Sequence, residues 1–187
     1  MWLWIAIGIA TLLALWLILI YNRLVRLRAL VREGFSGITV QLRRRADLIP
    51  NLVSTVEGYA RHERGLLEAI TAARGAAAAA KSIGATAEAD ARMSGMIGQL
   101  FAVAENYPDL KADANFRQLQ EELAEIEGEL AGARRYYNAT VRDLNSAVQS
   151  FPNILVAGPL GFHEEESYAD DVAALSAVPK VSFGEGR

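Results

Sequence analysis

Residues 2–20 form an apolar run without a single charged side chain, and the run ends at Ile20. As a helix it extends roughly 30 Å, at about 1.5 Å per residue, which matches the hydrocarbon core of a bilayer. Arginines follow almost at once, at positions 23, 26, 28 and 32. The run therefore predicts a transmembrane anchor over residues 1–21.

A cleaved signal peptide is the alternative interpretation of this run. Such a signal would place positive residues before the apolar core and a small-residue cleavage site after it. Here Tyr21 ends the run and the arginines lie on its C-terminal side, so we expect an uncleaved anchor. Trp2, Trp4 and Tyr21 stand where interfacial aromatics belong, whereas Trp16 is expected to face lipid or to pack within the protein. The positive-inside rule places residues 22–187 in the cytoplasm and the N-terminus outside.

Charge is segregated along the chain rather than in excess overall. The 187 residues carry a formal net charge of −3, which gives no general affinity for nucleic acid. Residues 23–45 hold seven arginines against one glutamate, and residues 109–129 hold seven carboxylates against two basic residues. Beside a membrane, each such cation gains about 1 kcal/mol against anionic lipid, although the arginines also serve as orientation signals and solvated helix faces. Cysteine is absent, which excludes disulfides, thiolate catalysis and cysteine metal sites.

Apolar residues recur at helical spacing almost throughout, and no window alternates as a strand would. The clearest stripe steps by three or four residues from Phe116 to Val148, as in coiled-coil-like packing. The predicted fold class is all-α: an N-terminal transmembrane helix followed by an antiparallel up-and-down four-helix bundle with long coiled-coil-like helices. We expect the bundle over residues 22–150, with Thr86 capping its third helix. Residues 151–187 would form an apolar Pro/Gly segment, a short helix and a tail.

The junction around Pro50 admits two interpretations. Arginines at 43–45, Asp47 as an N-cap and Pro50 in a first helical turn would mark one helix ending and another beginning. The apolar phase nevertheless runs through the junction from Leu42 to Val56, which suits one helix kinked at proline. The cap and proline signals favour the turn.

Residues 151–162 are apolar, uncharged and interrupted by Pro and Gly. They are too short to span a bilayer as a helix. They suit either a loop that dips into the interface, anchored by Phe151 and Phe162, or a hydrophobic segment that covers one end of the bundle. Polar residues near the bundle seam would fix helix register or form a partner surface: Asn22, Gln41, Asp47, Asn51, Glu63, Gln120, Asn138 and Asn145. The candidates for binding lipid or a partner are Arg43, Arg44, Arg45, Asp47, Asn51, Phe151, Leu155 and Phe162.

No motif in the sequence carries recognisable catalytic chemistry. The chain has two histidines, His62 and His163, and neither is preceded at three residues by an acid, as a di-iron bundle requires. His62 and Glu63 are adjacent, so they diverge by about 100° on a helix and do not clamp one ion. Phosphate loops, serine elbows and zinc-helix motifs are missing. We therefore predict a protein that is not an enzyme and that holds no cofactor or metal.

Several motifs nonetheless resemble the LemA family. They include the segments at residues 21–28, 40–45, 47–53, 59–63, 104–111, 116–123, 133–138, 141–145, 149–152 and 179–183. The resemblance covers nearly the whole chain, in order. It implies a single-pass bacterial membrane protein with a cytoplasmic antiparallel helical bundle, and it supplies no reaction. Gly34 and Phe35 stand where Ala-Trp is common in the family, and glycine weakens a helix interior by up to about 1 kcal/mol relative to alanine.

These observations favour a membrane-anchored helical scaffold or adaptor at the inner membrane. Its expected partners are membrane lipid, another membrane or cytoplasmic protein, and a second copy of the chain; we expect neither nucleic acid nor a small-molecule substrate. The alternative, which the resemblance also suggests, is an oligomer that remodels membranes in the manner of magnetosome-type membrane formation.

Overall fold

The computed structural model describes residues 1–168, and the described chain is built from helices without strands. The short helix and tail predicted toward the C-terminus lie outside the described residues. The helices are α1 (Trp2–Tyr59), α2 (Arg64–Ala79), α3 (Ile83–Ala104), α4 (Pro108–Ala112), α5 (Ala114–Gln149) and α6 (Ile154–Ala157), with a 3-10 turn at Arg61–Glu63 between α1 and α2. The all-α prediction and the long apolar N-terminal helix are confirmed.

Helix α1 passes through Pro50 without a break, so the predicted turn with Asp47 as N-cap is wrong. A proline in a helix removes one N–H and leaves the carbonyl four residues earlier without its usual partner. Here that carbonyl belongs to Ala46, and it accepts a hydrogen bond of 2.8 Å from Nε of Arg74 on α2. The tertiary contact replaces the missing helical donor, so one helix continues where the local signals predicted two.

The two long helices, α1 and α5, pack against each other in antiparallel directions. Tyr59 of α1 meets Asp113 just before α5, with 3.0 Å between the hydroxyl and the carboxylate, whereas Gly34 of α1 meets Tyr137. Buried residues recur every seven positions on both helices, the spacing that keeps one face toward a partner helix. The sets are Leu24, Val31, Ile38, Arg45 and Leu52 on α1, and Phe116, Leu123, Leu130, Tyr137 and Leu144 on α5.

Helices α2 and α3 form a shorter hairpin on the C-terminal half of α1. Ser82 caps α3, because its hydroxyl accepts a hydrogen bond of 3.2 Å from the backbone N–H of Ala85. The prediction of Thr86 as the cap is therefore wrong: Thr86 lies inside the helix, where its hydroxyl donates back to the Ser82 carbonyl. Asp113 caps α5 in the same manner, accepting from the N–H of Phe116 at 2.9 Å. Such caps satisfy donors that a helix start leaves unpaired.

The buried side chains form two separate cores. The distal core joins α1 beyond Ile49 to α2, α3 and the first part of α5. The proximal core lies next to the apolar run and joins Ile20–Ile38 of α1 to the later part of α5 and to residues 157–168. A layer of buried charge separates them, at the level of Arg45 on α1 and Asp90 on α3.

Candidate membrane-proximal site and central polar cluster

The apolar run of α1 is exposed along nearly its whole length. Trp2 and Trp4 are 84% and 76% exposed, and only 6% of the most apolar eighteen-residue window is buried. A core helix of a water-soluble domain would bury such a run, because apolar area transferred from water contributes about 25 cal/mol per Å². By length and composition this part of α1 is able to cross a membrane. Trp16 is half-buried against the proximal core, and Ile20 is the first buried residue of the chain.

An aromatic corner forms where the run ends. The ring of Phe162 lies edge-on to Tyr21, with 5.7 Å between centroids. The guanidinium of Arg28 sits 4.6 Å above the Phe162 ring, and its Nη1 donates to the Gly161 carbonyl at 3.4 Å. Phe162 is only 2% exposed. The prediction of Phe162 as an interfacial anchor is therefore wrong: its ring fills the end of the proximal core, as expected of a segment that covers the end of the helices.

The preceding residues instead present an apolar patch at the same end of the molecule. The patch consists of Phe151, Ile154, Leu155 and Leu160, of which Phe151 is 80% and Leu155 64% exposed. The short helix α6 holds the patch in place by burying Ala157 in the proximal core. One face of residues 151–162 therefore covers the end of the proximal core, as one of the two predicted alternatives requires, and the other face is open. Contact of the open face with a membrane stays a prediction. An uncovered apolar patch of this kind is a candidate interaction surface.

The three consecutive arginines have three different environments. Arg43 is exposed, and Arg44 is half-exposed and pairs with Glu129. Arg45 is 3% exposed, so the prediction of Arg45 as a lipid- or partner-binding residue is wrong. It occupies a core position in the seven-residue repeat of α1, and three neighbours hold its guanidinium there. Arg43 shares an exposed stripe of α1 with Asp47 and Asn51.

Arg45 belongs to a central polar cluster that joins α1, α3 and α5. Its Nη2 donates to the Asp90 carboxylate, and its Nη1 donates to Glu127 and to the Ser94 hydroxyl, both at 2.9 Å. Asp90, 2% exposed, also accepts from Arg134. A buried charge is tolerated only when it is paired and hydrogen-bonded. The cluster therefore aligns the three helices in one register.

Residues 163–168, here called the strap, lie along α5. Their last residue, Tyr168, adds its side chain to the central polar cluster. The hydroxyl of Tyr168 donates to Asp90 at 2.8 Å. Burial, and then the Asp90 charge, raise the pKa of Tyr168 well above its usual value, so the phenol remains a donor. The hydroxyl of Tyr137 donates to the Glu166 carbonyl at 2.7 Å, and burial raises its pKa to about 12.

Two asparagines one heptad apart hold the strap backbone. Asn145 accepts from the N–H of Glu165 and donates to its carbonyl, both at 2.9 Å. Asn138 likewise accepts from the N–H of Tyr168 at 2.8 Å and donates to the Tyr168 carbonyl at 3.2 Å. Because each amide pairs with both backbone groups of one residue, the strap is fixed in an extended conformation. Asn138 and Asn145 were predicted either to fix helix register or to form a partner surface. The structure gives them another role, since they bind the chain's own backbone.

The model of the LemA family matches residues 34–183. The chain belongs to the LemA family. It is also 24% identical over 188 residues to Magnetosome protein MamQ 2 of Paramagnetospirillum magneticum and to Magnetosome protein MamQ of Magnetospirillum gryphiswaldense. Each alignment covers 87% of this chain and 69% of the relative.

In this LemA-family chain, residues 1–168 contain no group of three or more acidic or histidine side chains arranged to hold a metal ion. His62 and His163 are both exposed. Two surface cavities stand out. An open cleft of about 590 Å³ lies between α1 and α2 beside Glu57 and Arg64. A second cavity, of about 280 Å³, lies between α1 and the last turns of α5, beside Arg23 and Asp143.

Sequence reasoning about this LemA-family chain missed Asp90, Glu127, Arg134 and Tyr168. A signal for Asp90 was present, since it stands three residues before Met93 in the apolar stripe of α3. A charge on a core stripe indicates a buried ion pair. Its partners come from α1, α5 and the strap, and no local pattern connects those segments.

Proposed function

We propose that this protein is a single-pass, membrane-anchored helical protein that acts as a non-enzymatic scaffold or adaptor at the cytoplasmic face of the bacterial inner membrane. The observation that most directly supports this proposal is the exposed apolar run, which continues without a break into the packed part of α1. In this proposal the C-terminal half of α1, with α2, α3 and α5, acts as an antiparallel bundle held at a set distance from the bilayer. Membership of the LemA family supports the membrane association.

The orientation is tested with single cysteines, because the native chain has none. We expect Trp2→Cys to react with a membrane-impermeant maleimide in intact spheroplasts. Glu125→Cys, on the exposed face of α5, should react only after lysis. Labelling of Glu125→Cys in intact spheroplasts would reverse the orientation and contradict a cytoplasmic scaffold.

The scaffold surface that we propose is the exposed stripe of Arg43, Asp47 and Asn51 on α1. Its polar side chains face solvent at the level of the central polar cluster, where the helices are held in register. A photo-crosslinker at Asp47 should capture one discrete protein in native membranes, and a crosslinker at Gln118 on the exposed surface of α5 should not. Equal capture at both positions would contradict a specific scaffold surface.

A second candidate function is remodelling of the membrane by an oligomer. The specific observation in its favour is the exposed apolar patch, which the structure holds beside the end of the apolar run. The similarity to magnetosome proteins also supports it. Purified protein should then deform liposomes, and Leu155→Asp should abolish the effect. Val40→Asp is the matched control, because Val40 is 53% exposed on α1 away from the patch. Equal loss in both variants would contradict a role for the patch.

A further inference from the structure

The cavity between α1 and the end of α5 carries charges of both signs. It has a volume of about 280 Å³ and is lined by Arg23 from α1 and by Asp143, Ser146 and Ser150 from the end of α5. Asn153 also lines the cavity, and its amide donates to the Ala147 carbonyl at 2.9 Å. Within residues 1–168, neither Arg23 nor Asp143 makes an ion pair with another side chain. The two charges are thus available to a ligand that has both an anionic and a cationic group.

The depth of Arg23 matches the headgroup layer of a bilayer. This step rests on the proposed function, because it assumes that residues 2–20 cross the membrane. Arg23 follows Ile20 by three residues, which is about 4.5 Å along a helix. The headgroup region on each side of the hydrocarbon core is roughly 5–7 Å thick. The backbone of Arg23 therefore lies at the depth of the headgroup layer, with lipid phosphates within reach of its side chain, and the cavity opens beside it.

The two sides of the cavity favour opposite charges. Arginine binds phosphate through paired N–H donors. On the other side stand the Asp143 carboxylate and the last turn of α5, whose carbonyls carry the negative end of the helix dipole. That side favours an ammonium group and disfavours a second anion. The exposed patch residues Phe151 and Leu155 follow Ser150 in the chain and supply apolar contact for acyl chains.

We propose that this cavity binds the headgroup of an amine-bearing zwitterionic phospholipid, with the phosphate on Arg23 and the ammonium on Asp143. The preference differs from that of the basic stretch as a whole, which attracts anionic lipid of any kind. Phosphatidylethanolamine has the required pair of charges, and its primary ammonium donates N–H hydrogen bonds to a carboxylate. Phosphatidylcholine has the same charges, but its quaternary ammonium has no N–H to donate. Phosphatidylglycerol lacks the cation and leaves the Asp143 carboxylate beside a phosphate.

The test uses Trp16, which precedes Arg23 by seven residues or about 10.5 Å along α1, as a reporter in the full-length chain. Trp16 packs against the proximal core, so Trp2→Phe and Trp4→Phe leave it as the single tryptophan of the chain. The protein is placed in phosphatidylcholine bilayers that contain a small fraction of brominated phosphatidylethanolamine or brominated phosphatidylglycerol. Bromine quenches tryptophan fluorescence at short range. Quenching that exceeds the quenching by the same fraction of brominated phosphatidylcholine therefore measures the enrichment of the test lipid around Trp16.

We expect brominated phosphatidylethanolamine to be enriched about two- to fivefold, the range of an exposed ion pair. Asp143→Asn should abolish this enrichment and increase that of phosphatidylglycerol, whereas Arg23→Gln should lower both. Glu33→Gln and Arg26→Gln remove the same charges from exposed positions outside the cavity and should leave the preference unchanged. An equal effect of the control and cavity variants would overturn the proposal.

Two further outcomes separate the possible failures. If brominated phosphatidylcholine quenches Trp16 and brominated phosphatidylethanolamine quenches it no more strongly, the headgroup site is overturned and the membrane anchor stands. No quenching by any brominated lipid would overturn the anchor itself. Excess soluble phosphoethanolamine should not compete, because it lacks the acyl chains; loss of the enrichment on its addition would show a site for the soluble compound instead.

Discussion

At the residue scale, Gly34 shows how packing reverses a local preference. A Cβ at this position would lie 3.0 Å from the Tyr137 Cα and 3.4 Å from the Thr140 hydroxyl. Glycine therefore lets α1 approach the backbone of α5 closely. Its cost to the helix, up to about 1 kcal/mol, is offset by this contact. From sequence, Gly34 was only a departure that weakens the helix.

We predict opposite effects for alanine at two neighbouring glycines. Gly34→Ala should lower the free energy of unfolding by about 1–2 kcal/mol, because overpacking exceeds the gain in helix propensity. Gly37→Ala should raise it by up to about 1 kcal/mol, since no atom lies within 4 Å of a Cβ built there. Chemical unfolding in detergent, followed by circular dichroism, measures both; a stabilising Gly34→Ala would contradict the close approach.

The adjacent arginines Arg44 and Arg45 allow a second matched comparison. Arg45→Met should cost about 3–5 kcal/mol of unfolding free energy, because it leaves the buried Asp90 carboxylate with one cation fewer. Arg44→Met should cost at most about 1 kcal/mol, since its pair with Glu129 is exposed. The same unfolding measurement applies. Similar costs for the two variants would contradict the buried central cluster.

At the scale of helices, the continuity of α1 depends on a contact from α2. The carbonyl of Ala46 lacks a helical donor because residue 50 is proline, and Arg74 supplies the hydrogen bond. Local sequence predicted a helix end here, since arginines, Asp47 and Pro50 are all boundary signals. The apolar phase through the junction was the better guide, because it records the face that tertiary packing buries.

A double-mutant cycle tests whether Arg74 replaces the N–H donor that Pro50 lacks. Arg74→Met in the native chain should cost about 1 kcal/mol, the net value of one hydrogen bond. In the Pro50→Ala background the helix regains its own N–H donor, so the same Arg74→Met change should cost much less. The coupling energy between positions 50 and 74 is the measured quantity. Strict additivity would mean that Arg74 does not replace the missing donor.

At the scale of the whole molecule, the strap ties the apolar end of the chain to the central polar cluster. Phe162 closes the proximal core and Tyr168 reaches Asp90, with the asparagines of α5 between them. The distal core shares no buried residue with this arrangement. We therefore expect the strap to open without unfolding of the distal core, since units that bury separate surfaces open separately.

Hydrogen exchange measures this independence directly. Asn145→Ala should increase exchange at the Glu165 amide, because that N–H loses its acceptor, and the amides of α3 beyond Met93 should keep their protection. Asn115→Ala is the control, since Asn115 is exposed at the start of α5. Increased exchange throughout the distal core in Asn145→Ala would show that the two cores open as one unit.

The sequence by itself determined the helical class, the apolar run and the core face of α5. These follow from periodicity and from a long uncharged segment, which are local properties that any packing must respect. The stripe from Phe116 to Val148 matches the face that α5 buries, wholly or in part.

Only the tertiary structure decided the course of α1 through Pro50, the burial of Arg45 and Phe162, and the path of the strap. Phe162 is buried by packing, whereas each polar group is satisfied by a partner far away in the chain: Ala46 by Arg74, Arg45 by Asp90, and Tyr168 by Asn138. A buried polar group is stable only with such a partner. Local sequence shows the group and its cost, but the partner is supplied by the fold.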